Sequence, residues 1–189
     1  MIGDHELSFQ QYVRFEKAKA VLVKNFFPEK LLQEMQTLME RASFIPNEYE
    51  ISDVGMVKED VLAPKFVKLF LDLMNKEDVI RNVERITGVV GAASFNGRIY
   101  RLSPGTDHRM DWHQDIDQGK CLSVTVNIGA SFDGGELLIR HIPTQEVFRF
   151  HNTGTGDAIF FEMHKDFEHC VLPVTGVNPK YGFTGWYHR

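Results

Sequence analysis

In Trp112-His113-Gln114-Asp115 an imidazole and a carboxylate stand two residues apart. On extended chain, side chains at that spacing share one face, so both can reach a single point. Taken alone, the pair reads better as a polar surface loop than as a metal site. Its company changes the balance: GDAIFFEMHKDFEHCVLPVTG (156–176) supplies two further candidate imidazoles, His164 and His169. Two histidines and one carboxylate on one side of Fe(II) leave three coordination positions open, the arrangement of non-haem oxygenases. The open positions matter because O2 and a co-substrate both need access to the ion. Competing chemistries lack their residues. Cys121 and Cys170 provide no thiolate set for structural zinc. His5-Glu6 is not followed by the second histidine of a zinc hydrolase, and GTGD (154–157) lacks a third glycine for dinucleotide binding.

Those residues need elements to hold them. Up to about residue 90 the chain reads as mostly helical, apart from a short strand at AVLVKNF (20–26). In FPEKLLQEMQTLMERA (27–42), Pro28 falls near the first turn, and Leu31, Leu32, Met35, Leu38 and Met39 form one helical stripe. Two more helices are predicted over 63–75 and 76–88, the second closed by Gly88 as a C-terminal cap. From about 91 onward, strand-length runs alternate with turn signals: CLSVTVNIGA, FDGG, ELLIRHI, EVFRFHN, TGTGD, AIFFEM. That texture predicts an antiparallel sandwich or barrel. In 121–128 the apolar face is Leu122, Val124, Val126 and Ile128, and the small polar face is Cys121, Ser123, Thr125 and Asn127. A polar strand face inside a barrel suits a ligand cavity. The expectation is one domain over 1–189, α+β but mainly β, with a helical support layer (1–90) on a jelly-roll core (91–189).

Composition bounds the partners. The 189 residues are 43% hydrophobic and 25% charged, as in an ordinary globular protein, and fifteen phenylalanines supply core material. A net charge of -5 without a basic stripe argues against nucleic-acid binding. No run approaches the roughly 20 apolar residues of a membrane span. MIGDHELSFQ shows no signal-peptide pattern, so a cytoplasmic, reducing location is expected.

The ordered set His113-Gln-Asp115, FDGGEL (132–137), GDAIFF (156–161), His169 with PVTG (173–176), Lys180 and TGW (184–186) resembles the 2-oxoglutarate and Fe(II)-dependent oxygenases, closest to their prolyl 4-hydroxylase-like branch. The resemblance spans about residues 20–189 and implies a double-stranded β-helix with helices packed on it. It implies that His113, Asp115 and His169 are the iron ligands and catalytic centre, since His169 precedes Pro173 by four positions as the family's distal histidine does. His164 is then a loop or supporting residue. Lys180 is implied to anchor the far carboxylate of 2-oxoglutarate. Tyr100 aligns with a tyrosine that holds the same group, with Leu102 competing for the slot, and Thr125 and Asn127 read equally as further contacts or as structural residues. Gly182 departs from the pattern, replacing a serine or threonine two residues after the basic one. Trp186 is expected in the core.

The implied cofactors are Fe(II), 2-oxoglutarate and O2, with ascorbate as a supporting reductant. The implied reaction is hydroxylation of an unactivated C–H of a small-molecule, amino-acid or peptidyl substrate, with succinate and CO2 as co-products. Asp115 favours hydroxylation over halogenation, which leaves the carboxylate position to halide. The loop 106–112 offers His108, Arg109 and Asp111 to substrate, Arg109 as partner for a carboxylate. The alternative function is a non-catalytic metal- or sugar-binding jelly-roll module. Oligomeric state is not readable.

Overall fold

The computed structural model describes residues 6–51, 55–63, 67–116, 119–151 and 154–189. Its elements run β1 (Tyr12–Phe15), β2 (Ala20–Val23), α1 (Glu29–Arg41), β3 (Phe44–Ile51), β4 (Gly55–Leu62), α2 (Lys68–Met74), α3 (Glu77–Thr87), β5 (Ser94–Leu102), β6 (Arg109–His113), β7 (Lys120–Asn127), β8 (Leu137–His141), β9 (Glu146–Phe150), β10 (Ala158–Glu162), β11 (Phe167–Val171) and β12 (Lys180–His188). Every strand pairing is antiparallel.

The strands form two layers. One is β1-β2-β10-β7-β12-β5 and the other β6-β11-β8-β9; β4 pairs with both β5 and β6 and joins them along one side. From β5 to β12 the chain passes back and forth between the layers, which is the double-stranded β-helix expected from the sequence. The alternation of each strand decides its two faces. Outward residues of the larger layer, among them Phe95, Ile99, Val124, Val126, Phe160, Phe183 and Tyr187, pack against the helices. Inward residues, among them Tyr100, Leu102, Leu137, Ile139, Ile159 and Phe161, fill the space between the layers.

The helices close the outer face. Val79, Val83 and Ile86 of α3 are buried, at helical spacing. Gly88 ends that helix at φ +80°, a left-handed conformation that glycine adopts without a Cβ penalty. In α1, Leu31, Leu32, Met35 and Met39 are buried as the stripe predicts; the side chain of Leu38 lies outside the described residues. Asn75, capping α2, accepts the Phe95 N–H (2.7 Å) and donates to the Phe95 carbonyl (2.9 Å), fastening the helix to β5. Phe183 stacks on Phe70 at 4.9 Å and meets Phe27 and Phe95. No helix among the described residues is long and apolar enough to cross a membrane.

The first ninety residues are less helical than their sequence suggests. They contain the β3–β4 hairpin, whose register runs from Phe44↔Leu62 to Ile51↔Gly55. Its outer strand is largely exposed, and β4 buries Glu59 and Asp60 beside its apolar residues. The apolar alternation that marks a strand is therefore diluted by charge, and pairing with β5 and β6 supplies what local pattern does not.

Phe183 is fully buried and central to the aromatic contacts. Phe183→Ala is expected to destabilise the protein by about 3–5 kcal/mol through lost burial and a cavity, read as a fall in the urea midpoint with an unchanged slope.

Candidate metal centre and co-substrate pocket

Register brings the two imidazoles together. His113, the last residue of β6, is the direct cross-strand partner of His169 in β11. Directly opposed residues stand with Cβ atoms about 5 Å apart, and the two ring centroids are 4.1 Å apart. His113 Nδ1 lies 2.7 Å from the Asp111 carbonyl, which selects the tautomer with Nδ1–H donating and leaves Nε2 its lone pair. Asp115 follows just past the end of β6. Its Oδ2 is 3.6 Å from His113 Nε2 and 3.5 Å from His169 Nε2. The three donor atoms all lie within 4.8 Å of one another.

Asp115 is held from both sides of the chain. The Trp186 indole N–H donates to its Oδ2 at 2.9 Å, and Lys120 Nζ stands 3.9 Å from Oδ1. Gln114, facing the opposite way, donates to the carbonyls of Lys165 (2.7 Å) and Phe167 (3.0 Å) and ties the β6 exit to the start of β11. Burial pushes the Asp115 carboxyl up, but the two imidazoles beside it prevail and hold it well below the usual carboxylate range. Burial, and then the neighbouring His113, lower the His169 imidazole below its ordinary value. The cluster thus favours one anion and one neutral ring, the protonation states a metal requires of its ligands.

The donor set fits a hard-to-borderline divalent ion. Two donors each ~2.1 Å from one ion can stand up to ~4.2 Å apart, and both His–Asp separations fall inside that limit. Two nitrogens and one oxygen with no thiolate match the facial arrangement for Fe(II).

The triad opens onto a cavity between the layers, whose wall includes Tyr100, Thr125, Leu137, Phe161, Thr184 and Trp186. Cross-strand register stacks these residues in levels: Arg98, Thr184 and Thr125 form one level, and Tyr100, Gly182 and Asn127 the next. The glycine at 182 now has a reason. The Tyr100 ring lies across it, where any Cβ would collide with the phenol, and Tyr100 Oη reaches within 3.5 Å of Thr125 Oγ1. Tyr100 therefore faces the cavity, whereas Leu102 is buried one level deeper, opposite Lys180.

Lys180 is 1% exposed and points into the interior. Its Nζ donates to the Gly135 carbonyl at 2.7 Å and stands 5.3 Å from the Phe132 ring and 5.9 Å from the Tyr100 ring. Among the described residues no carboxylate pairs with it. It lies behind the Tyr100 ring and is not itself part of the cavity wall.

Other sequence candidates lie elsewhere. Asn127 is fully buried at the end of β7, its backbone bonded to Gly156 and Asp157 and its Oδ1 accepting from Gly129, so it serves a strand junction away from the cavity wall. Arg109 donates to Asp111 and to the Asp107 carbonyl and is not brought to the cavity. Asp111 also accepts from the Met56 N–H, and His108 accepts from the Ser103 N–H; the charged loop braces the hairpin. His164 shapes the turn before β11, accepting from the Asp166 N–H, outside the triad. Trp186 lines the cavity instead of packing in the core. It shares strand parity with Lys180, a signal present in the sequence. Tyr49 and Arg98 were also missed: Arg98 shares parity with Tyr100, but Tyr49 arrives on the hairpin that the sequence did not reveal.

Residues 97–188 match the profile of the 2OG-Fe(II) oxygenase superfamily. No curated protein matches the chain in sequence. Several solved structures share its fold. A Pseudomonas putida prolyl-4-hydroxylase superposes with TM-score 0.67 at 16% identity, over 90% of this chain and 93% of that one. A 2OG-Fe(II) oxygenase family oxidoreductase from Burkholderia pseudomallei gives 0.69 at 18%, over 92% and 86%. A Trichoplax adhaerens prolyl hydroxylase, solved with a peptide fragment of the hypoxia inducible factor oxygen degradation domain, gives 0.65 at 15%, over 92% and 84%. The matched segment carries the whole His-Asp-His cluster, so residues 97–188 bear the profile and the metal-ligand set of oxygenases that take Fe(II), 2-oxoglutarate and O2, and the solved prolyl hydroxylases share the fold around them.

Proposed function

We propose that this enzyme hydroxylates an unactivated C–H of a small-molecule, amino-acid or peptidyl substrate, releasing succinate and CO2. The observation that carries the reading is the convergence of His113, Asp115 and His169 on one cavity. These three residues would hold Fe(II) at the edge of the cavity. The bound metal and 2-oxoglutarate together supply the oxidising chemistry; the protein positions the reactants and excludes water.

Each supporting residue has a physical task. The Asp111 carbonyl fixes the His113 tautomer, and the Trp186 N–H orients the Asp115 carboxylate. Lys180 binds the far carboxylate of 2-oxoglutarate. A buried ammonium with one carbonyl acceptor and no counter-ion among the described residues is costly, and a dicarboxylate supplies an opposite charge. The Tyr100 phenol and the Thr125 hydroxyl frame the approach to it, the phenol standing where the family pattern has a hydroxyl at position 182. Because the ring partly screens Lys180 from the cavity, co-substrate binding includes a small shift of Tyr100. The apolar floor from Leu137, Phe161 and Val171 keeps the reacting centre dry. The peptide-bound prolyl hydroxylase of the same fold supports a peptidyl or prolyl-like substrate among the candidates.

Removal of metal with a chelator is expected to abolish succinate production, with Fe(II) and not Mg2+ restoring it. Asp115→Ala eliminates the visible band of the anaerobic Fe(II)–2-oxoglutarate complex; persistence of that band would exclude Asp115 as a ligand. Trp186→Phe keeps the ligand and loses only its orienting N–H, so metal affinity falls about 10-fold, within the ~10–100-fold range for such supporting contacts.

Lys180→Met removes a charge-assisted contact and is expected to raise the KM for 2-oxoglutarate by roughly 10- to 100-fold. Tyr100→Phe raises it several-fold. Titration of 2-oxoglutarate against turnover and against the visible band measures both; an unchanged KM in Lys180→Met would move the co-substrate anchor elsewhere.

A further inference from the structure

Arg98 has no part in the chemistry so far, yet its guanidinium lines the same cavity as the triad. It sits on the inward face of β5, two residues before Tyr100 and directly across from Thr184. Its Nε donates to Glu59 Oε1 at 2.6 Å, and Nη2 makes a long contact of 3.4 Å with the Tyr49 hydroxyl. Glu59 is buried and also accepts from Asn47 through Oε1 (3.0 Å). Its Oε2 is buried with no hydrogen-bond partner among the described residues.

A guanidinium forks onto a carboxylate most strongly through two parallel N–H bonds. Glu59 does not use that geometry here. It holds Arg98 through one oxygen on the Nε edge, while Nη2 is only weakly engaged and Nη1 has no hydrogen-bond partner among the described residues. Glu59 thus fixes where the fork points without filling it. The Trp186 ring lies between this cation and the metal centre: the Arg98 guanidinium carbon is 5.5 Å from the ring centroid, and the indole N–H contacts Asp115. Arg98 and the triad therefore line one cavity, with Trp186 touching both.

We propose that Arg98, aimed by Glu59 and assisted by the Tyr49 hydroxyl, binds a carboxylate of the primary substrate, so that the enzyme acts on a small carboxylic acid with its reacting C–H held over the iron. This deepens the hydroxylase reading above and rests on it. Arg98 is then a specificity residue, contributed jointly by β5 and the β3–β4 hairpin, and the role assigned to Arg109 from sequence passes to it.

The test uses the Fe(II)–2-oxoglutarate form of the full chain. N-acetylated amino acids and their matched primary amides are titrated anaerobically, with perturbation of the visible band giving a dissociation constant. Substrate-stimulated succinate formation under air gives kcat and KM. Acids of the set are expected to bind roughly 10- to 100-fold more tightly than their amides, the range of a lost charge-assisted contact. In Arg98→Met that preference disappears, through KM and not kcat, while Arg98→Lys, which keeps charge but loses the fork, restores part of it. Tyr49→Phe weakens acid binding a few-fold and serves if the Arg98 variants do not fold. Equal binding of acids and amides by the wild type, a preference surviving Arg98→Met, or failure of every acid to bind overturns the proposal. Absence of the visible band in the wild type overturns the oxygenase reading, and this inference with it.

Discussion

The antiparallel register between β6 and β11 is the constraint on which the site depends. It sets His113 directly opposite His169. A slip of one residue would turn either imidazole to the opposite face of its strand. Asp115 then needs only to continue past the strand end, where Trp186 and the Gln114 anchors hold it. Three donors contributed from residues 56 apart in the chain meet because two strands pair in one way.

The larger layer forms the opposite wall of the site. β7 and β12 are long, paired along nearly their whole length, and backed by the helices through Val124, Val126, Phe183 and Tyr187. Their inner faces carry Ser123, Thr125, Gly182 and Thr184 beside the single large ring of Trp186, while their outer faces are aromatic and aliphatic. A strand with one wet face inside a barrel is stable only because the other face buries so much apolar surface. The same division explains how Lys180 can be buried: a strand anchored on its far side carries a costly ammonium inward without unzipping.

The polar chemistry divides between the cavity wall and the interior beside it. The Lys180 ammonium lies beside the Tyr100 ring, off the cavity wall, whereas the metal ligands and Arg98, held by the buried Glu59, line the cavity itself. Along β5 and β12 the cross-strand pairs Lys180–Leu102, Gly182–Tyr100 and Thr184–Arg98 set the order of these groups, while the metal ligands come from β6, its exit and β11.

Much of this was legible in the chain. The triad, the choice of His169 over His164, the inward face of β7 through Ser123 and Thr125, and the cap at Gly88 all rest on spacing, parity or the ordered family motifs, which need no tertiary information. Placement against distant partners was not legible. Nothing local shows that Tyr100 fills the space over Gly182, that Arg109 is satisfied by its neighbours while Arg98 faces the cavity, or that Asn127 ends in a strand junction. The β3–β4 hairpin was hidden because its strands are charge-rich and gain their order from pairing with β5 and β6. Short-range pattern reports which face a side chain takes; only the packed sheets decide what that face meets.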